Sequence, residues 1–215
     1  MTDIFEIYRK NADAVQAAAM AAYMKNICPF LGIQKPKRVE LSKNFFKEAK
    51  KHTKIDWSFV DKCWGLEREF QYLALEYLRD VAKLLSADDI PHLKKLAETK
   101  SWWDTIDSLD KIIGGIALTN PAVNNILLEW SLDNNFWLRR IAIDHQLPRK
   151  EKTNIELLEK ILVNNLEQKE FFINKAIGWS LREYSKTNPE WVRGFLDVYK
   201  NKMAPLSIRE ASKYI

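Results

Sequence analysis

Glycine is scarce in this chain, six residues in 215, and proline adds only seven. Too few turn-makers remain for a protein of many short strands, so helices are the expected building unit. Cysteine is nearly absent. Cys28 and Cys63 show no Cys-x-x-Cys spacing, and His52, His92 and His145 keep no metal-ligand spacing with them. That excludes a recognisable structural zinc or other metal motif and points to a reducing compartment. A long hydrophobic run is also missing. The longest early apolar stretch, AVQAAAMAAYM, is interrupted by Gln16, follows no basic leader of the signal-peptide type and is too short to span a bilayer. A cytoplasmic protein without membrane attachment is the expectation.

What is present describes a folded chain. Hydrophobic residues make up 47% and charged residues 29%, unlike the apolar-poor composition of disorder. The length suits one core or one array of small units, read as a single domain over residues 1–215. The formal charge of +5 is unevenly placed. Residues 35–54, KPKRVELSKNFFKEAKKHTK, carry eight basic residues against two glutamates, whereas residues 55–110 are net acidic. A basic face of this kind suits a polyanion such as nucleic acid, and a solvated helix face accounts for the same charges.

Apolar residues recur at three- and four-residue steps, as in Ile155, Leu158, Ile161, Leu162 and Leu166, the stripe of a half-buried helix. Helix starts are marked at Asp13, Asp88 with Asp89, Ser101 with Asp104, Asn120 before Pro121, Asn188 before Pro189, and Ser207 with Glu210. These signals predict about a dozen helices of roughly 8 to 18 residues joined by short links. Two segments echo each other: Trp137 with Arg140 and Trp179 with Arg182 are both Trp-x-x-Arg, 42 residues apart. That interval fits HEAT-type units. The predicted fold is all-α, an irregular α-solenoid of HEAT-like antiparallel helix pairs with a concave binding face, which if basic suits a polyanion such as DNA.

The stretch KSWWDTIDSLD, residues 100–110, is the candidate for chemistry. Ser101 and Asp104 fit a capping box, while Trp103 and Asp107, four apart, project from one helix face. A carboxylate beside an indole suits a reaction that develops positive charge, such as glycosidic bond cleavage. Read for packing alone, Trp103 is core and Asp107 a surface charge. Trp57, Trp64, Trp130, Trp191, Phe70, Tyr72 and Tyr77 read as packing residues. Gly114 and Gly115 read as a relaxed or broken helix, Arg182 as a partner of Glu183 or an upstream acid, and His145 has no visible partner.

Four phrases in order, YMKNICPFLGIQKPKR, KSWWDTIDSLD, NNFWLRRIAI and KEFFINKAIGWSLREYSKTNP, resemble the bacterial DNA alkylation repair glycosylases of the AlkD type, HEAT-like all-helical proteins. The resemblance runs from about Tyr23 to the C-terminal segment APLSIREASKYI. It implies excision of positively charged N3- and N7-alkylated purines from duplex DNA, without a base-binding pocket and without a cofactor. It also implies a catalytic aspartate at Asp107, lesion-side tryptophans at Trp103 and Trp179, and a DNA-backbone arginine at Arg140. Tyr23 and Gln34 match further DNA-facing positions, and Lys35, Lys37 and Arg38 are candidate phosphate contacts. No lysine or N-terminal amine is placed for a Schiff base, so a monofunctional enzyme is expected. The expected partner is alkylated double-stranded DNA, bound by a monomer that joins the nucleoid when engaged. Two other functions use the same architecture: a non-enzymatic protein reading bent, branched or damaged DNA by shape, and a protein-interaction scaffold.

Overall fold

A computed structural model describes residues 3–215, and among them the fold is all-α, with thirteen α-helices and no strand. The chain divides into two compact units, one ending at Leu85 and one running from Ser86 to Ile215. No helix is long and apolar enough to cross a membrane among the described residues.

The first unit contains α1 (Ile4–Lys10), α2 (Ala14–Tyr23), α3 (Lys35–Ala49), α4 (Trp57–Gly65) and α5 (Arg68–Asp80). Asp13 caps α2 as expected, accepting the N–H groups of Val15 and Gln16. Helix α3 packs on α1 and α5, and α4 packs on α5. Tyr8, fully buried, ties α1 to α3 through a 2.7 Å hydrogen bond between its hydroxyl and that of Ser42. Cys28 and Cys63 are both buried thiols.

The loop between α2 and α3 is fastened from below. Buried Glu69 accepts three backbone N–H groups, from Leu31, Gly32 and Ile33, at 2.8–3.1 Å. Gly32 adopts φ +84°, and a Cβ there would lie 2.1 Å from the carbonyl oxygen of Asp13. The loop therefore needs both the conformational freedom and the missing side chain.

The second unit contains α6 (Ile90–Glu98), α7 (Trp103–Thr119), α8 (Val123–Trp130), α9 (Phe136–Asp144), α10 (Ile155–Val163), α11 (Phe171–Ser185), α12 (Pro189–Tyr199) and α13 (Pro205–Ala211). Alternate helices lie side by side: α7 against α9, α9 against α11, α11 against α13, with α8 also contacting α10. This is the stacking expected of helix pairs, and the two Trp-x-x-Arg segments fall on neighbouring helices of the row, α9 and α11. Gly114 and Gly115 do not break α7. A Cβ on Gly114 would meet the His145 carbonyl oxygen at 2.1 Å, so that glycine lets α7 approach the end of α9, while Gly115 faces open space.

Four expected caps are otherwise built. Ala122, not Asn120, is the N-cap of α8, and Asn120 accepts the Ala122 N–H at 3.2 Å; Asp89 stands at the N-cap of α6 but accepts the Ser86 N–H at 2.8 Å instead of capping that helix. Trp102, not Ser101, is the N-cap of α7, and no side chain caps it. The Ser101 hydroxyl instead donates to the Ala97 carbonyl at 2.5 Å, the backward bond open to any serine just past a helix end. Ser207 lies inside α13 and donates to the Asn174 carbonyl of α11 at 2.8 Å, while Glu210 faces cations. Asn188 does cap α12, with Pro189 at its first position.

Candidate functional site

An aromatic wall sets the site's floor. Trp102 packs edge-on against Trp137 and Phe172, with ring centroids 5.8 and 5.3 Å away, and Trp137 lies 4.9 Å from Phe172. Trp102 thus turns inward. The cluster joins the starts of α7, α9 and α11 and holds the Phe172 carbonyl in reach of Arg140.

Arg140 spends its guanidinium on that framework. Nε and Nη2 donate to the two carboxylate oxygens of Asp107 at 2.8 and 2.9 Å, and Nη1 donates to the Phe172 carbonyl at 2.7 Å. The paired, planar geometry is the strongest form of this interaction and fixes the direction of the carboxylate. Arg140 is buried, its side chain 2% exposed, while that of Asp107 is 21% exposed. Lys111 adds a short hydrogen bond to the Asp107 backbone carbonyl.

Arg140, the DNA-backbone arginine that the resemblance implies, is placed in the interior. Its side chain lies behind Asp107, because an arginine on α9 can reach α7 and α11 at once when those helices pack against its own. Arg38 is likewise a buried residue: it donates to the Ile33 carbonyl at 3.2 Å and stacks 4.5 Å over Tyr72, so the loop and α5 absorb it. Lys35 and Gln34 are exposed at the start of α3, Gln34 bonded to Gln16 at 3.0 Å, and Tyr23 ends α2 with 72% exposure. Lys37 is exposed and pairs with Glu40 at 3.1 Å.

Trp179 is half-buried on α11 with the Arg140 guanidinium 5.2 Å from its ring centre, and Lys175 and Arg182 at 5.5 and 5.9 Å. Lys175 and Arg182 are in turn held by Glu210 at 3.0 and 2.5 Å. Arg182 therefore pairs with a distant glutamate on α13, not with Glu183 or an upstream acid. Lys213, closest in effect, and Lys175 pull the Glu210 carboxyl down to about 2 against its burial. Asp107, Arg140 and Trp179 thus form one connected group, and half-buried Trp103 sits one turn before Asp107 on α7.

Two acids at this site escaped the sequence reading. Asp110 and Asp144 are buried, and one carboxyl oxygen from each lies within 4.8 Å of the other and of one from Asp107. A cation could be shared at that spacing, and Arg140 brings its own charge there. The spacings Asp107-x-x-Asp110 and Arg140-x-x-x-Asp144 were the available signal, since both bring side chains onto one helix face. His145, next in the chain, is also buried, and loss of solvent drops its imidazole to about 3, so it is neutral and bonded to the Ala142 carbonyl at 2.6 Å.

Comparison with known proteins follows this geometry. Residues 6–215 match the family described as DNA alkylation repair enzyme. A solved structure described as a predicted DNA alkylation repair enzyme from Enterococcus faecalis superposes with a TM-score of 0.87 at 37% identity, covering 95% of this chain and 96% of that one. The structure of smu.31 from Streptococcus mutans UA159 shares the fold, with a TM-score of 0.61 at 17% identity over 83% of this chain and 97% of its own. Among curated proteins none matches.

Proposed function

The chain belongs to the DNA alkylation repair enzyme family, and from that premise we propose that it is a monofunctional DNA glycosylase acting on positively charged N3- and N7-alkylated purines in duplex DNA. 7-Methylguanine and 3-methyladenine are its expected substrates, and its place is the first step of base excision repair. Residues 1–215 act in this reading as one HEAT-like domain on the duplex.

The observation that carries the proposal is the Asp107 carboxylate, partly exposed and gripped on both oxygens by buried Arg140. An alkylated purine already carries positive charge, so it leaves as a neutral base and needs neither a strong general acid nor a cofactor. The electron pair of the glycosidic bond goes to the base, and the deoxyribose becomes cationic. A carboxylate fixed in direction stabilises that charge without reorganising. Asp107 also orients the water whose oxygen bonds to the sugar C1′, and the water's proton passes to solvent. Trp103 and Trp179 present aromatic faces to the same cationic sugar. Arg140 aims the carboxylate, while Lys35, Gln34 and Tyr23 supply contacts to the DNA backbone.

Single-turnover incubation with duplex DNA bearing one 7-methylguanine tests this reading. Wild type should release the base well above spontaneous depurination, and Asp107→Asn should slow release on the order of a hundredfold while duplex binding persists. Binding of damaged and undamaged duplex alike, with no release by either protein, would instead favour recognition of DNA shape without catalysis.

A further inference from the structure

One arginine serves three acids in the second unit. Asp107 receives two hydrogen bonds from Arg140, whereas Asp144 stands 3.7 Å from Nη2, beyond hydrogen-bond length. The cation nearest Asp110 is Lys111, at 3.8 Å, on a half-exposed side chain. Asp110 and Asp144 are themselves 2% and 1% exposed at the side chain, and Asp110 Oδ1 and both Asp144 oxygens have no hydrogen-bond partner. A carboxylate buried without hydrogen bonds is among the costliest groups a protein can carry, and a proton removes the part of that cost due to its charge.

We propose that Asp144, with Asp110 beside it, is a positioning residue kept as a neutral carboxylic acid behind Arg140, which commits the guanidinium's charge to Asp107. The proposal rests on the reading of Asp107 as the carboxylate that faces the reacting sugar. Ionised, Asp144 competes for Nη2 and loosens the two-point grip on Asp107; neutral, it fills the space without drawing the arginine away. Burial pushes the Asp144 carboxyl up to about 7, with the Asp107 charge adding to the rise and Arg140 and Lys111 opposing it. Burial likewise lifts Asp110 well above the usual carboxylate range. The charged groups acting on Asp144 are Arg140 of its own helix and Asp107 and Lys111 of α7; Asp110 shares the cluster, and the adjoining His145 is neutral. Among the described residues α6, α8, α10 and α11, which also pack on α9, contribute no further one.

The test begins with carbon NMR of the aspartate carboxyl groups in the whole protein, titrated from about pH 4 to about pH 9. Asp144 should titrate near neutrality, and a midpoint in the ordinary aspartate range would overturn the proposal. In Asp107→Asn, loss of the neighbouring negative charge and release of the guanidinium should lower the Asp144 midpoint by about one pH unit or more; an unmoved midpoint would also defeat it. In the 7-methylguanine assay, the wild-type rate should fall about threefold or more as Asp144 ionises, and Asp144→Asn should lack that alkaline limb. A limb that survives the substitution assigns it to another group and ends the positioning role. The carboxyl titration needs no substrate. Absence of base release therefore strikes the glycosylase reading alone, whereas release with a normally titrating Asp144 strikes this inference alone.

Discussion

The two units meet the same physical problem, a carboxyl group removed from water, in opposite ways. In the first, Glu69 is surrounded by the N–H groups of Leu31, Gly32 and Ile33, so burial is matched by three charge-assisted hydrogen bonds. In the second, Asp144 sits beneath Arg140 with both oxygens lacking a hydrogen bond. A satisfied carboxylate is structure, and here it pins a loop that leads into Gln34 and Lys35 at the start of α3. An unsatisfied one beside an arginine retains a choice of protonation state, and here it lies next to Asp107.

Matched isosteres break this comparison most directly. Glu69→Gln removes the charge and turns an amide N–H₂ toward a backbone donor, and it should cost about 3 kcal/mol of unfolding free energy in urea titrations. Asp144→Asn keeps shape and neutrality, and near pH 6 it should cost less than about 1 kcal/mol. Equal losses from both substitutions would show that Asp144 is ionised and paired like its counterpart.

Glycines extend the contrast to packing. Gly114→Ala drives a Cβ into the His145 carbonyl, and Gly32→Ala does the same at Asp13 from a left-handed backbone. Each should cost about 2 kcal/mol or more, read as a lowered melting temperature. Only Gly114→Ala should also disturb the α7–α9 contact that joins Asp107 to Arg140, and so slow base release.

The pH dependence of stability sharpens the comparison further. The Asp144 carboxyl is raised in the folded state, so the folded protein binds this proton more tightly than the unfolded chain. Its stabilising contribution is full below the unfolded value, near 4, and is lost as pH rises through the folded value, about 7. Urea midpoints measured at acid and at mildly alkaline pH should therefore differ less in Asp144→Asn than in wild type, the remaining difference being carried by groups such as Asp110 and His145. The smallest effect belongs to Gly115→Ala: with open space around the new methyl, it should stabilise α7 by about 0.5–1 kcal/mol in the same urea experiment.

Much of the fold was legible because its signals are local. Asp13 and Asn188 cap the helices they precede, since an N-cap needs only a side chain and the next two or three backbone N–H groups. Ser101 and Ser207 carry the same pattern and do something else, because a hydroxyl also donates and each bonds a carbonyl instead. The candidate site was legible in part. Trp103 and Asp107 share a face by helical spacing, and the family resemblance singled out Asp107, Arg140 and Trp179. That Arg38 and Arg140 are interior residues was not visible in a string where both look like basic surface. Neither were the roles of Glu69 and Glu210, which tie together segments 28–38 residues apart in the chain.

By itself the sequence determined the secondary structure: an all-helical chain, its main apolar stripes, several of its caps and the family it belongs to. The helices, stripes and caps follow from the 3.6-residue period and from bonds between near neighbours, and the family from four phrases in order. The tertiary structure alone decided which charges lose their water and which cation each acid receives. Desolvation is set by every helix that packs around a group, and Asp107 meets Arg140 only because α7, α9 and α11 stack in a row.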